Sequence, residues 1–303
     1  MRSLLPLLLL LGGCNRSAPP PREFDGAAAL EYVRTQLAFG PRIPGRPGHA
    51  KMAAWLDSLL RARADSVLPQ RWTHVTHGGD SLPLVNFLAR FKPGAATRLL
   101  FLAHWDTRPR ADGPMSRDST LPVPGANDGA SGVAVLLAMA DQLKRTPPSI
   151  GVDLLFVDGE DYGDFNKDED VLLGSRYYAA HLPPGPTPRF AILFDMIGDK
   201  DLRIQQEGRS LTGAPDVVEA VWRMAAQVGH GDVFVPEEGI SLDDDHVPLQ
   251  QAGIRAIDLI DFTFGGPDNR WHHTPDDTID KVSAASLKAV GDVAMAMIRT
   301  ERE

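Results

Sequence analysis

The chain has 303 residues, 43% apolar, 23% charged and 7% aromatic, an ordinary globular composition that excludes collagen-like, coiled-coil and wholly disordered chains. That length admits two domains, but a single α/β domain also reaches it once a leader is set aside, and one domain is the expectation. The net charge of −9, without any long run of Lys and Arg, removes the electrostatic footprint of a nucleic-acid binder.

The first fourteen residues point to a compartment. After Met1-Arg2, Leu4 to Leu11 is leucine throughout except for Pro6, and the stretch ends in Gly12-Gly13-Cys14. It is too short to cross a hydrocarbon layer of about 30 Å as a helix, so residues 1–14 read as a signal peptide. Leu11-Gly12-Gly13-Cys14 looks like a bacterial lipobox, with small residues ahead of a cysteine that is lipidated. The expectation is a lipoprotein of the bacterial cell envelope, anchored through Cys14 on the periplasmic or extracellular face and touching the membrane only by that anchor. A plain secretory leader with an incidental cysteine is the alternative. Cys14 is the sole cysteine, so no internal disulfide forms. Residues 15–23, with Pro19-Pro20-Pro21 and no apolar periodicity, read as a flexible tether, leaving 24–303 for the folded domain.

Along that domain helical and strand patterns alternate. Leu30, Val33 and Leu37, then Met52, Trp55, Leu56, Leu59 and Leu60, recur at helical spacing on either side of the proline-rich stretch 41–47. Short apolar runs at 85–91, 99–103, 152–157, 190–194 and 256–260 read as buried strands. Helical windows fall at 130–143, 175–181, 214–228, 247–252 and 284–298. Alternation of this kind implies a single α/β domain with a twisted, mixed but mostly parallel sheet covered by helices on both faces.

The chemistry gathers where strands end. The run at 99–103 leads into His104-Trp105-Asp106, that at 152–157 into Asp158-Gly159-Glu160-Asp161, and that at 190–194 into Asp195. Open α/β sheets bind ligands outside the carboxyl ends of their strands. Gly125-Ala126-Asn127-Asp128-Gly129 precedes one helix and His272-His273-Thr274-Pro275-Asp276-Asp277-Thr278 precedes the last. Carboxylates with imidazoles and no thiolate suit zinc or another borderline divalent metal. Singly, Asp128 reads as a helix cap, Asp195 as a solvated strand end and His273 as a loop histidine. Together they do not, because several carboxylates buried without a cation would be very costly.

These clusters, with Ala130-Ser131-Gly132 and Phe194-Asp195-Met196-Ile197-Gly198, resemble the M28 zinc peptidase family over about residues 25–300. His104-Trp105-Asp106-Thr107-Arg108-Pro109 with Ala111-Asp112, Glu160-Asp161-Tyr162-Gly163, Leu173-Gly174-Ser175-Arg176 and Asp243-Asp244-Asp245-His246 are more similar to its glutaminyl-peptide cyclotransferase branch, in bacterial form, than to secreted aminopeptidases. The resemblance implies a zinc aminopeptidase-like fold and a zinc-dependent acyltransferase. Such an enzyme converts N-terminal glutamine of peptides or proteins to pyroglutamate and releases ammonia. By the same resemblance Asp128, Asp161 and His273, the last chosen over the adjacent His272 because it directly precedes Thr-Pro, would hold one zinc, Glu160 would be the general acid/base, and Asp195 and Asp244 a hydrogen-bonded carboxylate pair. His104 and Asp195 occupy positions of a second metal in the peptidases, so a two-zinc aminopeptidase acting on peptide N-termini is the alternative. The resemblance further implies a cis peptide bond between Asp128 and Gly129. Where animal cyclases place tryptophans, this chain has Asn166 near one position and His272 at the other, which leaves Trp271, Trp105, Tyr162 and Phe165 as aromatic wall candidates. A binding module without catalysis is the weakest alternative, since neither Glu160 nor any ligand position is lost.

Overall fold

A computed structural model describes residues 23–113 and 115–302, so the segment expected to be a signal peptide, Cys14, and all of the expected tether but Glu23 lie outside the described residues. Helix α1 (Gly26–Ala38) starts where the Asp25 carboxylate accepts from Ala28 N–H, one of the donors a first turn leaves unpaired. Helix α2 (Pro47–Arg61) instead starts on a proline, which has no N–H to satisfy there. A hairpin of β1 (Ser66–Val75) and β2 (Ser81–Phe91) follows, and then β3 (Arg98–His104), α3 (Ala130–Arg145), β4 (Gly151–Val157), α4 (Leu173–Ala180) and β5 (Ala191–Asp195). The remainder comprises β6 (Ile204–Gln206), α5 (Gly208–Gly213), α6 (Pro215–Gln227), β7 (Phe234–Glu238), α7 (His246–Gln251), β8 (Ala256–Ile260) and α8 (Ala284–Thr300).

Six strands form the main sheet in the order β1-β2-β4-β3-β5-β8. Strands β4, β3, β5 and β8 run parallel, whereas β2 lies antiparallel to both β4 and β1, so the sheet is mixed with a parallel centre. Side-chain alternation along each strand splits the core in two. Leu99, Phe101 and Ala103 of β3, with Leu154 and Phe156 of β4, pack beneath α1, α2, α3 and α8. Leu100 and Leu102, with Leu155 and Val157, face the other way toward Tyr178 of α4 and Leu249 of α7. Both faces are thus covered, as parallel strands require. Helix α3 packs in the middle of the larger core and is buried nearly all round, which is why its window is apolar with little polar face.

Strand β1 was not expected. It is the sheet edge, and its residues are intermediate or exposed throughout, with Pro69 inside it, so no apolar run marks it. The two-stranded parallel sheet of β6 and β7, with short α5 beside it, also carries no apolar run of strand length. Among the described residues no helix is long and apolar enough to cross a membrane.

The chain passes from β3 through α3 to β4 on one side, then returns to β5 on the other side of β3. That reversal opens a crevice above the carboxyl end of β3, which places His104, the residues after Val157 and Asp195 on one rim.

Candidate active site

Four loops bring the side chains together, and each is held by hydrogen bonds. After β4 the backbone turns at Gly159, whose φ of +72° favours glycine. The fully buried Asp106 carboxylate then accepts from Glu160 N–H at 3.1 Å and Asp161 N–H at 3.2 Å, so one acid after β3 fixes the two acids after β4. Asp277, from the last loop, accepts from Asn127 N–H at 2.8 Å and Asp128 N–H at 3.1 Å. Buried Arg42 donates to the carbonyls of Trp105, Pro124 and Gly125. Asp128 is not a helix cap; the residue before α3 is Gly129, and the Asp128 carboxylate is turned inward.

The expected cis bond is not found. Among the described residues every peptide is trans, and the reversal after Asp128 is made by Gly129 at φ +80° and ψ −51°. A side chain at Gly129 would press on the His104 ring at 2.9 Å, and the positive φ there also favours glycine.

His273 Nε2 lies 3.1 Å from Asp161 Oδ1 and 3.5 Å from Asp128 Oδ2. Asp128 Oδ2 and Asp161 Oδ2 are buried and have no hydrogen-bond partner. Two unsatisfied carboxylate oxygens beside an imidazole nitrogen form a donor set that fits a divalent cation such as zinc. A second set shares Asp128: His104 Nε2 is 3.1 Å from Asp128 Oδ1 and 3.3 Å from Asp195 Oδ1, again with buried, unpartnered nitrogens. Arg108 donates to Asp161 Oδ1, the oxygen next to His273, and to the Asp161 carbonyl, both at 3.0 Å, and so fixes that carboxylate while leaving Oδ2 unpartnered.

The electrostatics follow from burial and crowding. Burial, then the Asp161 charge, pushes the Glu160 carboxyl well above its ordinary range. Burial alone would also raise Asp161, but His273 and Arg108 outweigh it and hold that carboxyl well below the usual range. Burial would lower the His104 imidazole, yet Glu160, Asp106, Asp128 and Asp195 around it raise it well above its ordinary value. Burial and the Asp195 charge push Asp244 up to about 7. Two neighbouring acids therefore differ sharply: Asp161 stays ionised and Glu160 can hold a proton.

Asp244 lies beside Asp258 of β8, with carboxylate oxygens of the two within 4.8 Å of each other, and the Asp195 charge acts on it as well. Behind the pair, His246 is fully buried and its Nε2 lies 3.2 Å from Glu207. Asp258 escaped notice because it sits inside an apolar strand run. Asp106 and Asp277 belong to the clusters singled out from the sequence, but their part in clamping backbone N–H groups was not legible there. Arg42 lies in a loop with no motif of its own.

Asp128, Glu160, Asp161, Asp195, Asp244 and His273 open on one cavity of about 960 Å³, whose lining also includes Phe165, Leu242 and Phe262. Tyr162 packs instead with Leu82, Leu84 and Leu173. Trp105 is in the core, stacked on His49, so it offers no substrate wall. Trp271 packs edge-on against Phe264.

The sequence profile of peptidase family M28 matches residues 86–298. Aminopeptidase YwaD of Bacillus subtilis (strain 168) is 32% identical over 183 residues, which are 58% of this chain and 37% of that protein, so the chain spans well under half of that relative. The glutaminyl-peptide cyclotransferase-like protein of Mus musculus is 28% identical over 273 residues, covering 82% of this chain and 68% of that one. The crystal structure of Bacteroides thetaiotaomicron glutaminyl cyclase bound to N-acetylhistamine superposes with a TM-score of 0.87 at 35% identity, covering 93% of this chain and 99% of that one.

Proposed function

The chain belongs to peptidase family M28, and on that premise we propose that it is a glutaminyl-peptide cyclotransferase working with one zinc ion per chain. The observation that carries the reading is Asp244, a buried carboxyl that lines the cavity with Asp195, lies close to Asp258, and is pushed up to about 7 by burial and by the Asp195 charge. Asp195, the carboxylate that a second metal would need, is itself held above its ordinary range by burial, which makes it a poorer ligand, and the crowded pair suits hydrogen bonding to an uncharged amide. The likeness in structure to a solved bacterial glutaminyl cyclase over nearly its whole length supports the same reading.

Asp128, Asp161 and His273 would hold the zinc. When bound there it supplies Lewis-acid polarisation of the substrate's γ-carboxamide carbonyl. The substrate's α-amine attacks the carbonyl carbon of that carboxamide, the C–N bond of the carboxamide breaks, and ammonia leaves. Glu160 accepts the proton from the attacking amine and returns it to the leaving nitrogen, so the balance closes without water. A general acid/base needs a pKa near the working pH, and burial of Glu160 beside Asp161 moves it in that direction. Asp195 and Asp244 would orient the carboxamide through its N–H groups. Mass spectrometry of a peptide with N-terminal glutamine tests the reading: a product lighter by ammonia supports it, and free glutamine with a shortened peptide refutes it.

The intact second donor set of His104, Asp128 and Asp195 favours a second reading, a two-zinc aminopeptidase, for which water would be the nucleophile. For location, we propose tethering to the cell envelope through lipidated Cys14, since more than one acyl chain gives stable anchoring. Replacing Cys14 with Ser should release the protein into the soluble fraction, and a wild-type protein that is already soluble would contradict the anchor.

A further inference from the structure

His272 has no part in the chemistry above, yet its ring stands at the donor set. Successive side chains of an extended chain point to opposite sides. Here His273 adopts a left-handed φ of +52°, unusual for a residue with a side chain, and the two adjacent rings come to the same side with centroids 3.6 Å apart. The loop is held in that shape from both ends, by Gly113 N–H donating to the His273 carbonyl at 3.0 Å and by His272 N–H donating to the Asn269 carbonyl at 3.2 Å. Gly113 has no room for a side chain, because a Cβ would lie 2.2 Å from the His272 carbonyl oxygen. The result is that a His272 ring nitrogen, a His273 ring nitrogen and an Asp128 carboxylate oxygen all lie within 4.8 Å of one another. Among the described residues the His272 nitrogens take no hydrogen bond, and the ring also lines the large cavity, with Phe262 edge-on at 5.1 Å.

We propose that His272 is a reserve zinc ligand, whose imidazole fills the coordination position left by Asp128, Asp161 and His273 when no substrate is bound and gives it up to the substrate. The inference rests on the reading of that donor set as a zinc centre. Three protein ligands leave a tetrahedral ion one position short, which catalytic sites fill with an exchangeable group. A neighbouring imidazole with free nitrogens and open cavity beside it suits that exchange. Substrate would then compete with an internal ligand, so removing the ligand should lower zinc affinity and lower KM together.

The test measures zinc affinity by competition with a chromophoric chelator for the full chain and for His272→Phe, His272→Gln, Asp161→Ala, His273→Ala and the His272→Phe/His273→Ala double variant. Visible spectra of the cobalt-substituted forms are recorded alongside. His272→Phe and His272→Gln should each weaken zinc binding by about tenfold or more and change the cobalt spectrum. His273→Ala should keep weak zinc binding that the double variant loses. If both His272 variants bind zinc like the wild type with an unchanged cobalt spectrum, while Asp161→Ala loses it, the reserve-ligand proposal is overturned and the zinc centre stands. If Asp161→Ala binds zinc as well as the wild type, the zinc-centre reading falls and this proposal falls with it.

Discussion

Asp106→Ala removes the carboxylate on which the catalytic turn is built. That carboxylate is fully buried and accepts the N–H groups of Glu160 at 3.1 Å and Asp161 at 3.2 Å. Alanine leaves both donors without a partner and without water. A buried donor stripped of its acceptor costs about 1–3 kcal/mol, so the pair should cost about 2–6 kcal/mol, a large part of the ordinary stability of a folded chain. One effect opposes this: the Asp106 charge is among those that raise the buried Asp158 carboxyl, and its removal relieves that crowding. Asp106→Asn should fall between, because the amide oxygen can accept from one N–H while its NH₂ group faces the other. Denaturant unfolding of the three proteins at saturating zinc measures the stabilities, and chelator competition measures the zinc affinity. Zinc binding should weaken about 10–100-fold in Asp106→Ala, as when the partner that orients a ligand is lost. An alanine variant within about 1 kcal/mol of wild type, with unchanged zinc affinity, would refute the clamp.

Glu160→Gln should retain zinc and fold while losing about 10²–10⁴ in turnover, because the amide keeps the shape but cannot relay a proton. Asp161→Ala should instead lose zinc affinity, since it deletes a donor and leaves Asp128 and His273, so equilibrium dialysis separates the two neighbours. Asp158 is pushed up to about 6, chiefly by burial and against the lowering effect of His49. A carboxyl raised in the folded state stabilises fully below its unfolded pKa and loses that contribution as pH rises through the folded value. Relative to wild type, Asp158→Asn should therefore gain about 3 kcal/mol between pH ~4 and pH ~6.5 in denaturant unfolding. A constant difference over that range would show that Asp158 does not titrate there.

What the sequence made legible is what repeats or clusters. Buried strands β3, β4, β5 and β8 show as apolar runs because both faces are covered, and the acids that end β3, β4 and β5 stand out against them. Strand β1 did not show, since an edge strand half open to solvent has no apolar run to display. Within the site, Glu160, Asp161, Asp128 and His273 were each visible as polar residues at the ends of apolar elements. Their supports were not: a carboxylate such as Asp277, which caps backbone N–H groups a hundred and fifty residues away in sequence, has no local signature. Asp258 shows the same limit from the other side, a buried acid in a strand that pattern alone reads as uniform core. The bond after Asp128 is trans where the resemblance implied cis, a backbone detail that the sequence does not display.

The most direct test of the central claim is a zinc titration of the metal-stripped enzyme, following ammonia release from a glutaminyl peptide and amine release from an aminoacyl anilide in parallel. The single-zinc cyclotransferase predicts that ammonia release rises to its maximum at one equivalent of zinc per chain, with no amine released from the anilide at any ratio. Anilide cleavage that appears as a second equivalent binds, with the glutaminyl peptide left uncyclised, would contradict it.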